Sequence, residues 1–169
     1  MQRIMIFGFP GGGKTTLALQ MGEMLDIPVY HCDRIKQVEN FNWKPINEIH
    51  AHINGVIHKE KWILDGYPTT EMMPACIERA DTLIFIDFNQ FLCMWRVTKR
   101  SIKHHGKCRS DVGDGCKDGF PPLYLYWVIW TFPRKYRKRF LNWINTNEKR
   151  VFHFRKRKEL KQFIEENTP

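Results

Sequence analysis

The octapeptide Gly8-Phe9-Pro10-Gly11-Gly12-Gly13-Lys14-Thr15 constrains this chain more than any other stretch, because it satisfies G-x-x-x-x-G-K-[ST] in full. Its flanks complete the pattern. The apolar run Arg3–Phe7 predicts a buried strand entering it, and Leu17, Met21, Met24 and Leu25 recur at helical spacing behind it. Glycines let the backbone curl so that successive N–H groups point inward at phosphate oxygens. The helix that starts near Lys14 adds its positive N-terminal end. In such a loop Lys14 reaches the β- and γ-phosphates and the Thr15 hydroxyl binds Mg²⁺. Gly8, Pro10, Gly11, Gly12, Gly13, Lys14, Thr15 and Thr16 are therefore the expected ATP-binding residues.

The rest of the chain keeps the strand-then-helix alternation. Ile27–Cys32, Trp62–Leu64, Thr82–Ile86 and Val151–Phe154 read as further strands. Pro45 suits the first turn of a helix whose apolar face is Ile46, Ile49, Ile53, Val56 and Ile57. Helices are also expected over about 70–80, about 89–101 and after the fifth strand. This spacing predicts an α/β fold: a five-stranded parallel sheet with helices on both faces. The pattern breaks at about 104–122, where glycine and charge replace periodicity. An insert of that length inside a compact domain points to function or mobility. No internal repeat is visible, so one domain is expected over 1–169.

Composition narrows the setting. No run approaches the ~18 apolar residues a membrane span needs. The N-terminus reaches glycine too soon for a signal peptide. Five cysteines at irregular spacing do not form a disulfide framework and suit a reducing compartment. The expected location is the cytoplasm. The net charge of +9 is unevenly spread: residues 1–90 hold 8 Lys/Arg against 11 Asp/Glu, and residues 91–169 hold 19 against 7. The positive excess lies wholly in the second half, which predicts an anionic ligand or partner there. The phosphate loop does not by itself separate kinase, ATPase and GTPase. No guanine-reading Asn-Lys-x-Asp segment occurs, which disfavours the last.

The chain resembles the P-loop nucleoside-monophosphate kinase group, with adenylate kinase as its best-known member. Within it the likeness is closest to the bacterial DNA topology modulation (FlaR-like) proteins. It rests on Gly8–Thr16, His31-Cys32-Asp33, Trp62-Ile63-Leu64-Asp65-Gly66, Ala80-Asp81-Thr82, Trp95-Arg96, Arg109-Ser110-Asp111, Gly115-Cys116 and Lys149-Arg150-Val151. The resemblance implies a three-layer P-loop kinase fold with a lid insert and an ATP- and Mg²⁺-dependent phosphotransferase activity. It also implies roles. Asp65, closing an apolar strand, would hold Mg²⁺ with Thr15. Arg96 and Arg100 share a helix face at i, i+4 and match the pair that stacks on adenine and grips phosphate. Arg109 and Asp111 look like lid residues, with Arg109 brought to the transferring phosphoryl group. Asp65-Gly66-Tyr67-Pro68 is similar to the family's Asp-Gly-Phe-Pro-Arg segment, but Thr69 stands where the acceptor-holding arginine would be. Asp33 is expected at a strand's carboxyl end, where ligands sit in open α/β sheets. It is the base if the acceptor is a hydroxyl, and only positions if the acceptor is a phosphate.

Other features carry less. His104, His105, Cys108 and Cys116 lack the paired spacing of a zinc knuckle. Leu123–Phe132 followed by Arg134–Phe140 reads as two packed helices, the second with a solvated basic face. A nucleic-acid surface and an interfacial membrane helix are the sharper alternatives. Arg155–Lys158 is expected beside the adenine pocket, by analogy of fold. The sequence as a whole predicts a kinase acting on a small acceptor, nucleotides among the candidate classes, with Arg34, Trp43 and Lys44 as candidate acceptor contacts. The competing expectation is a nucleic-acid-binding ATPase or DNA-topology accessory protein that uses the basic half. Oligomeric state is not encoded legibly.

Overall fold

The computed structural model describes residues 1–39, 42–106, 111–113, 123–146 and 148–167. In chain order the elements are β1 (Arg3–Gly8), α1 (Lys14–Leu25), β2 (Val29–His31), α2 (Cys32–Lys36), α3 (Ile46–Ile57), β3 (Trp62–Asp65), α4 (Met73–Arg79), β4 (Thr82–Ile86), α5 (Gln90–Lys103), α6 (Leu123–Asn145), β5 (Arg150–Phe154) and α7 (Arg157–Asn167). The sheet order is β2-β3-β1-β4-β5, and every pairing is parallel. The central strands are buried on both faces, which is why they read as unbroken apolar runs.

Alternation along each strand divides the core in two. Met5, Phe7, Leu64, Leu83 and Phe85 face a cluster completed by Ile49 and Ile53 of α3, Cys76 and Ile77 of α4, and Phe140 and Ile144 of α6. Ile4, Ile6, Ile63, Ile84 and Ile86 face the other layer, built by Leu17 and Met21 of α1, Cys93 and Val97 of α5, and Leu160 and Phe163 of α7. The result is the expected three-layer α/β sandwich. The carboxyl ends of β1, β3 and β4 meet at one edge, and the register Ile6↔Asp65 and Gly8↔Ile86 sets Asp65 beside the glycine-rich loop.

Two elements differ from expectation. β2 stops at His31, and Cys32 and Asp33 belong to the short helix α2. The stretch 123–145 is one helix of 23 residues, not two, although Pro133 lies inside it. Proline removes one backbone bond there. The bond lost is that to the Ile129 carbonyl, and side chains bond the helix backbone on either side of it, Arg134 Nη1 donating to the Trp130 carbonyl at 3.1 Å and Thr131 Oγ1 to that of Trp127 at 2.8 Å. Phe132, Tyr136 and Phe140 pack on one aromatic cluster across the proline, with Phe132–Tyr136 centroids 4.4 Å apart. Most of the expected lid insert, 107–110 and 114–122, lies outside the described residues, with Arg109, Cys108 and Cys116 in it. Among the described residues no helix is long and apolar enough to cross a membrane. Cys32, Cys76 and Cys93 are buried free thiols. Burial pushes that of Cys76 up to about 12, so it is an inert filler of the core.

Candidate active site

The glycine-rich loop turns tightly between β1 and α1, with the Gly12 N–H donating to the Phe9 carbonyl at 3.1 Å. Gly8 is required by its neighbour: at φ 143° a Cβ would lie 2.1 Å from the Ile86 carbonyl oxygen of β4. Gly11, at φ 77°, packs as closely on α5, where a Cβ would meet the Cys93 carbonyl at 2.5 Å. The loop is thus wedged between β4 and α5, and α1 starts at Lys14 directly behind it. Lys14 Nζ donates to the Phe9 carbonyl at 3.1 Å, so the ammonium lies along the loop whose amides it would share with phosphate.

Behind the loop, Thr15 Oγ1 donates to Asp65 Oδ2 at 2.8 Å. The same oxygen accepts from His31 Nδ1 at 2.9 Å. Asp111 Oδ2 lies 3.4 Å from the Thr15 hydroxyl. Asp65 is 5% exposed, and its second oxygen, Oδ1, is buried with no hydrogen-bond partner. A buried carboxylate oxygen without a donor is costly. A hydroxyl and two carboxylates are hard oxygen ligands of the kind Mg²⁺ takes in nucleotide sites. The chemistry of Thr15 and Asp65, with Asp111 beside them, therefore fits such a metal.

In front of the loop opens a cleft of about 740 Å³. Gly11, Gly13, Lys14, Thr15 and Thr16 form its floor, and Trp95, Arg96, Lys99, Arg100 and Lys103 of α5 with Arg157 of α7 form its wall. Cations predominate, as a polyphosphate requires. Arg96 is engaged with the loop itself: its Nη1 donates to the carbonyls of Gly12 at 3.0 Å and Gly11 at 3.4 Å. Its guanidinium also rests 5.6 Å from the Phe88 ring centroid. Burial, with Arg157 nearby, lowers its pKa from the ordinary arginine value. Arg96 thus braces the phosphate loop from below, and Arg100, one turn on, lines the cleft. Of the tail residues Arg155–Lys158, Arg157 borders the cleft.

A second cavity of about 570 Å³ lies on the β2 side, with Tyr30, His31, Arg34, Gln37, Glu39 and Lys44 in its lining. His31 is the link between the two spaces, since it lines this cavity while holding Asp65. Arg34 and Lys44 are here as candidate acceptor contacts, whereas Trp43 is 61% exposed under the Lys36 ammonium. Asp33 lines neither cavity. Its side chain is 57% exposed in the first turn of α2 and pairs with Lys36 at 3.0 Å. Lys36 is buried and also donates to the Tyr67 carbonyl at 2.8 Å, which fixes the chain just after Asp65-Gly66. Thr69 is an interior residue, 7% exposed, whose hydroxyl accepts the Met72 N–H at 3.2 Å and lies 3.1 Å from His50 Nε2.

Two functional-edge residues have no role in the sequence reading. One is His31, whose contact with Asp65 depends on the β2–β3 register His31↔Asp65. The other is Asp87, just past β4. Arg137 Nε and Nη2 donate to its Oδ2 at 3.0 and 2.8 Å, and His153 Nε2 donates at 3.0 Å. The basic face of α6 is therefore partly tied to the sheet rather than wholly solvated. An acid and a histidine at the ends of adjacent apolar strands are the only sequence signal for that contact.

No protein-family model matches the sequence, and no curated protein sequence does either. Solved structures do match over most of the chain. Shikimate kinase from Acinetobacter baumannii, solved in complex with shikimate, superposes with a TM-score of 0.62 at 9% identity, covering 98% of this chain and 90% of its own. A gluconokinase from Sinorhizobium meliloti gives 0.59 at 14% identity, with 98% and 89% covered. Deoxyadenosine kinase from M. mycoides, with bound dATP, gives 0.58 at 10% identity and 98% coverage of both chains. At these identities the likeness establishes the fold, and the fold is that of the P-loop kinases from end to end.

Proposed function

We propose that this chain is an ATP- and Mg²⁺-dependent phosphotransferase of the nucleotide or small-molecule kinase type, one domain over 1–169, working in the cytoplasm on a small acceptor. The observation that carries the reading is the Thr15–Asp65 pair with its unpartnered Oδ1, set at the back of a complete phosphate loop and under a cationic cleft. The kinases it superposes on, named for gluconate, shikimate and deoxyadenosine, support it at the level of fold.

In this reading the loop amides and the α1 N-terminus hold the donor phosphates, and Lys14 leaves the Phe9 carbonyl to reach them. Thr15 and Asp65 would hold Mg²⁺, which would supply positive charge against the donor phosphates. Arg96 keeps the loop in shape, and Arg100 with Arg109 meets charge developing on the transferred group. The acceptor oxygen bonds to the γ-phosphorus as the bond to the bridging oxygen breaks, and ADP leaves. For a hydroxyl acceptor the proton goes to a carboxylate; Asp33, which as placed lines neither cavity, takes that part only by leaving Lys36 and turning to the acceptor, and for a phosphate acceptor it only positions. Such catalysis is mostly placement and electrostatics. The acceptor belongs in the second cavity, beside Arg34 and Lys44. With Thr69 buried where the related kinases carry an arginine, AMP is disfavoured. The resemblance to the DNA topology modulation proteins belongs to the same reading, because their likeness runs through this site.

The test is ADP release from Mg·ATP, first alone and then with nucleoside monophosphates, nucleosides, hydroxylated metabolites and short DNA. A jump with one small acceptor, absent in Lys14→Ala, supports the kinase. Slow hydrolysis stimulated only by DNA, with binding that falls steeply with salt, would favour the nucleic-acid-dependent ATPase instead.

A further inference from the structure

The antiparallel pair α5 and α6 carries an apolar surface that extends well beyond the donor cleft and shares only Trp95 with its wall. Eight of the twelve exposed large apolar side chains among the described residues lie on these two helices. On α6, Leu123 is 86% exposed, Tyr124 69% and Trp127 61%, with Trp130 one turn further on. On α5, Phe91, Trp95 and Ile102 fall on one face at i, i+4 and i+11. The two faces join: Phe91 meets Trp130 edge-on at 5.8 Å, Gln90 Nε2 donates to the Trp130 carbonyl, and Thr98 bonds Tyr126. Neither helix contains an Asp or Glu; the four Lys/Arg of α5 all line the donor cleft, and α6 adds five, of which Arg137 is tied to Asp87 and Arg134, Lys135, Lys138 and Arg139 are exposed.

We propose that this face is a docking surface for an anionic phospholipid bilayer, which it meets at the headgroup level without crossing. Its charge selects an anionic partner, since α6 presents the exposed cations Arg134, Lys135, Lys138 and Arg139 and no side-chain carboxylate. Its apolar part selects lipid over nucleic acid. Arg134 sits 4.8 Å over the Trp130 ring and Lys99 5.1 Å over Trp95, while Tyr124 stacks on Trp127 at 6.0 Å. One face of each of these tryptophan rings is thus already covered. Leu123 and Ile102 have no part in base stacking, yet aliphatic tips beside tryptophan and flanking cations are the composition of an interfacial helix. The stripe is also ordered along its length: Leu123, Trp127 and Trp130 precede Pro133, and Arg134 and Lys138 continue the same face beyond it. The apolar end enters the acyl boundary and the basic end meets headgroup phosphates.

The experiment is flotation of the full chain with phosphatidylcholine vesicles, alone and mixed with phosphatidylserine. Binding is expected to the mixed vesicles, weakened by high salt, and at least ~10-fold tighter than to phosphatidylcholine alone. Leu123→Glu with Trp127→Glu should remove it. Arg134→Glu with Lys138→Glu, at exposed positions, should weaken it by ~10-fold or more, with an unaltered circular-dichroism melt confirming the fold. Failure to bind either vesicle, or binding undiminished in the second pair, overturns the proposal. So does tighter binding of a single-stranded oligonucleotide that the first pair abolishes, which would make the face a nucleic-acid surface.

Discussion

Around the phosphate loop the ligand would meet backbone amides, a helix end and side chains that neighbouring elements hold in place. Gly8 is pressed against β4, Gly11 against α5, and Arg96 bonds the loop carbonyls. Around the second cavity the lining comes from short or irregular elements: Tyr30 and His31 from an edge strand, Arg34 from a helix of five residues, and Lys44 from the segment leading to α3. The first arrangement tolerates almost no substitution, because it is geometry. The second can be retuned one side chain at a time without moving the sheet. A donor site that is fixed and an acceptor site that varies is what lets one fold carry many reactions.

The sharpest way to break this contrast is at the donor side. Lys14→Ala should lower ADP release by ~10³-fold or more with every acceptor, since it removes a charge aimed at the transferred group. Activity near the wild-type level in that variant would remove the loop from the chemistry. Next in size is Asp65→Asn, which keeps shape and takes away the charge. The Mg²⁺ concentration for half-maximal rate should rise by ~100-fold, and Mn²⁺ binding followed by its paramagnetic spectrum should weaken in parallel. The melting temperature should hold or rise, because the amide is less costly to bury than a carboxylate with an unpartnered oxygen. At the acceptor side the expected effect is smaller and of another kind. Arg34→Ala should raise KM for an anionic acceptor by ~10-fold, and leave acceptor-free ATP hydrolysis and KM for ATP as they were. An equal loss in hydrolysis would merge the two cavities into one site.

The same contrast explains what the sequence makes legible. The loop is contiguous, its glycines answer to backbone conformation, and its flanks are apolar runs, so eight residues disclose strand, turn and helix together. The strands of a parallel sheet read easily for the same reason: burial on both faces leaves no polar residue to confuse the period. His31 and Asp87 are different. Each acts through a partner on another strand or helix, Asp65 in one case and Arg137 with His153 in the other, and only the register brings them within 3 Å. Helix α6 misleads for a local reason. An apolar decade, a proline and a basic run look like two elements, but Phe132, Tyr136 and Phe140 share one aromatic cluster that spans the proline. Tertiary packing overrides the local break.

Thr69 offers the finest probe of the acceptor side. It follows the Asp65-Gly66-Tyr67-Pro68 segment at the position where the family the sequence resembles has an arginine, and here its hydroxyl turns inward to the Met72 N–H and His50. Met72 is the N-cap of α4, so the hydroxyl serves a helix start. Thr69→Val preserves the branched shape and leaves that amide without its acceptor, which should cost ~1 kcal/mol of folding stability in a urea titration. Turnover with any acceptor should be unchanged, because the side chain points away from both cavities. If stability holds while the acceptor KM rises, Thr69 faces the acceptor after all. The missing arginine would then mark a remodelled contact, and the division between a fixed donor side and a tunable acceptor side would have to be drawn one residue closer to Asp65.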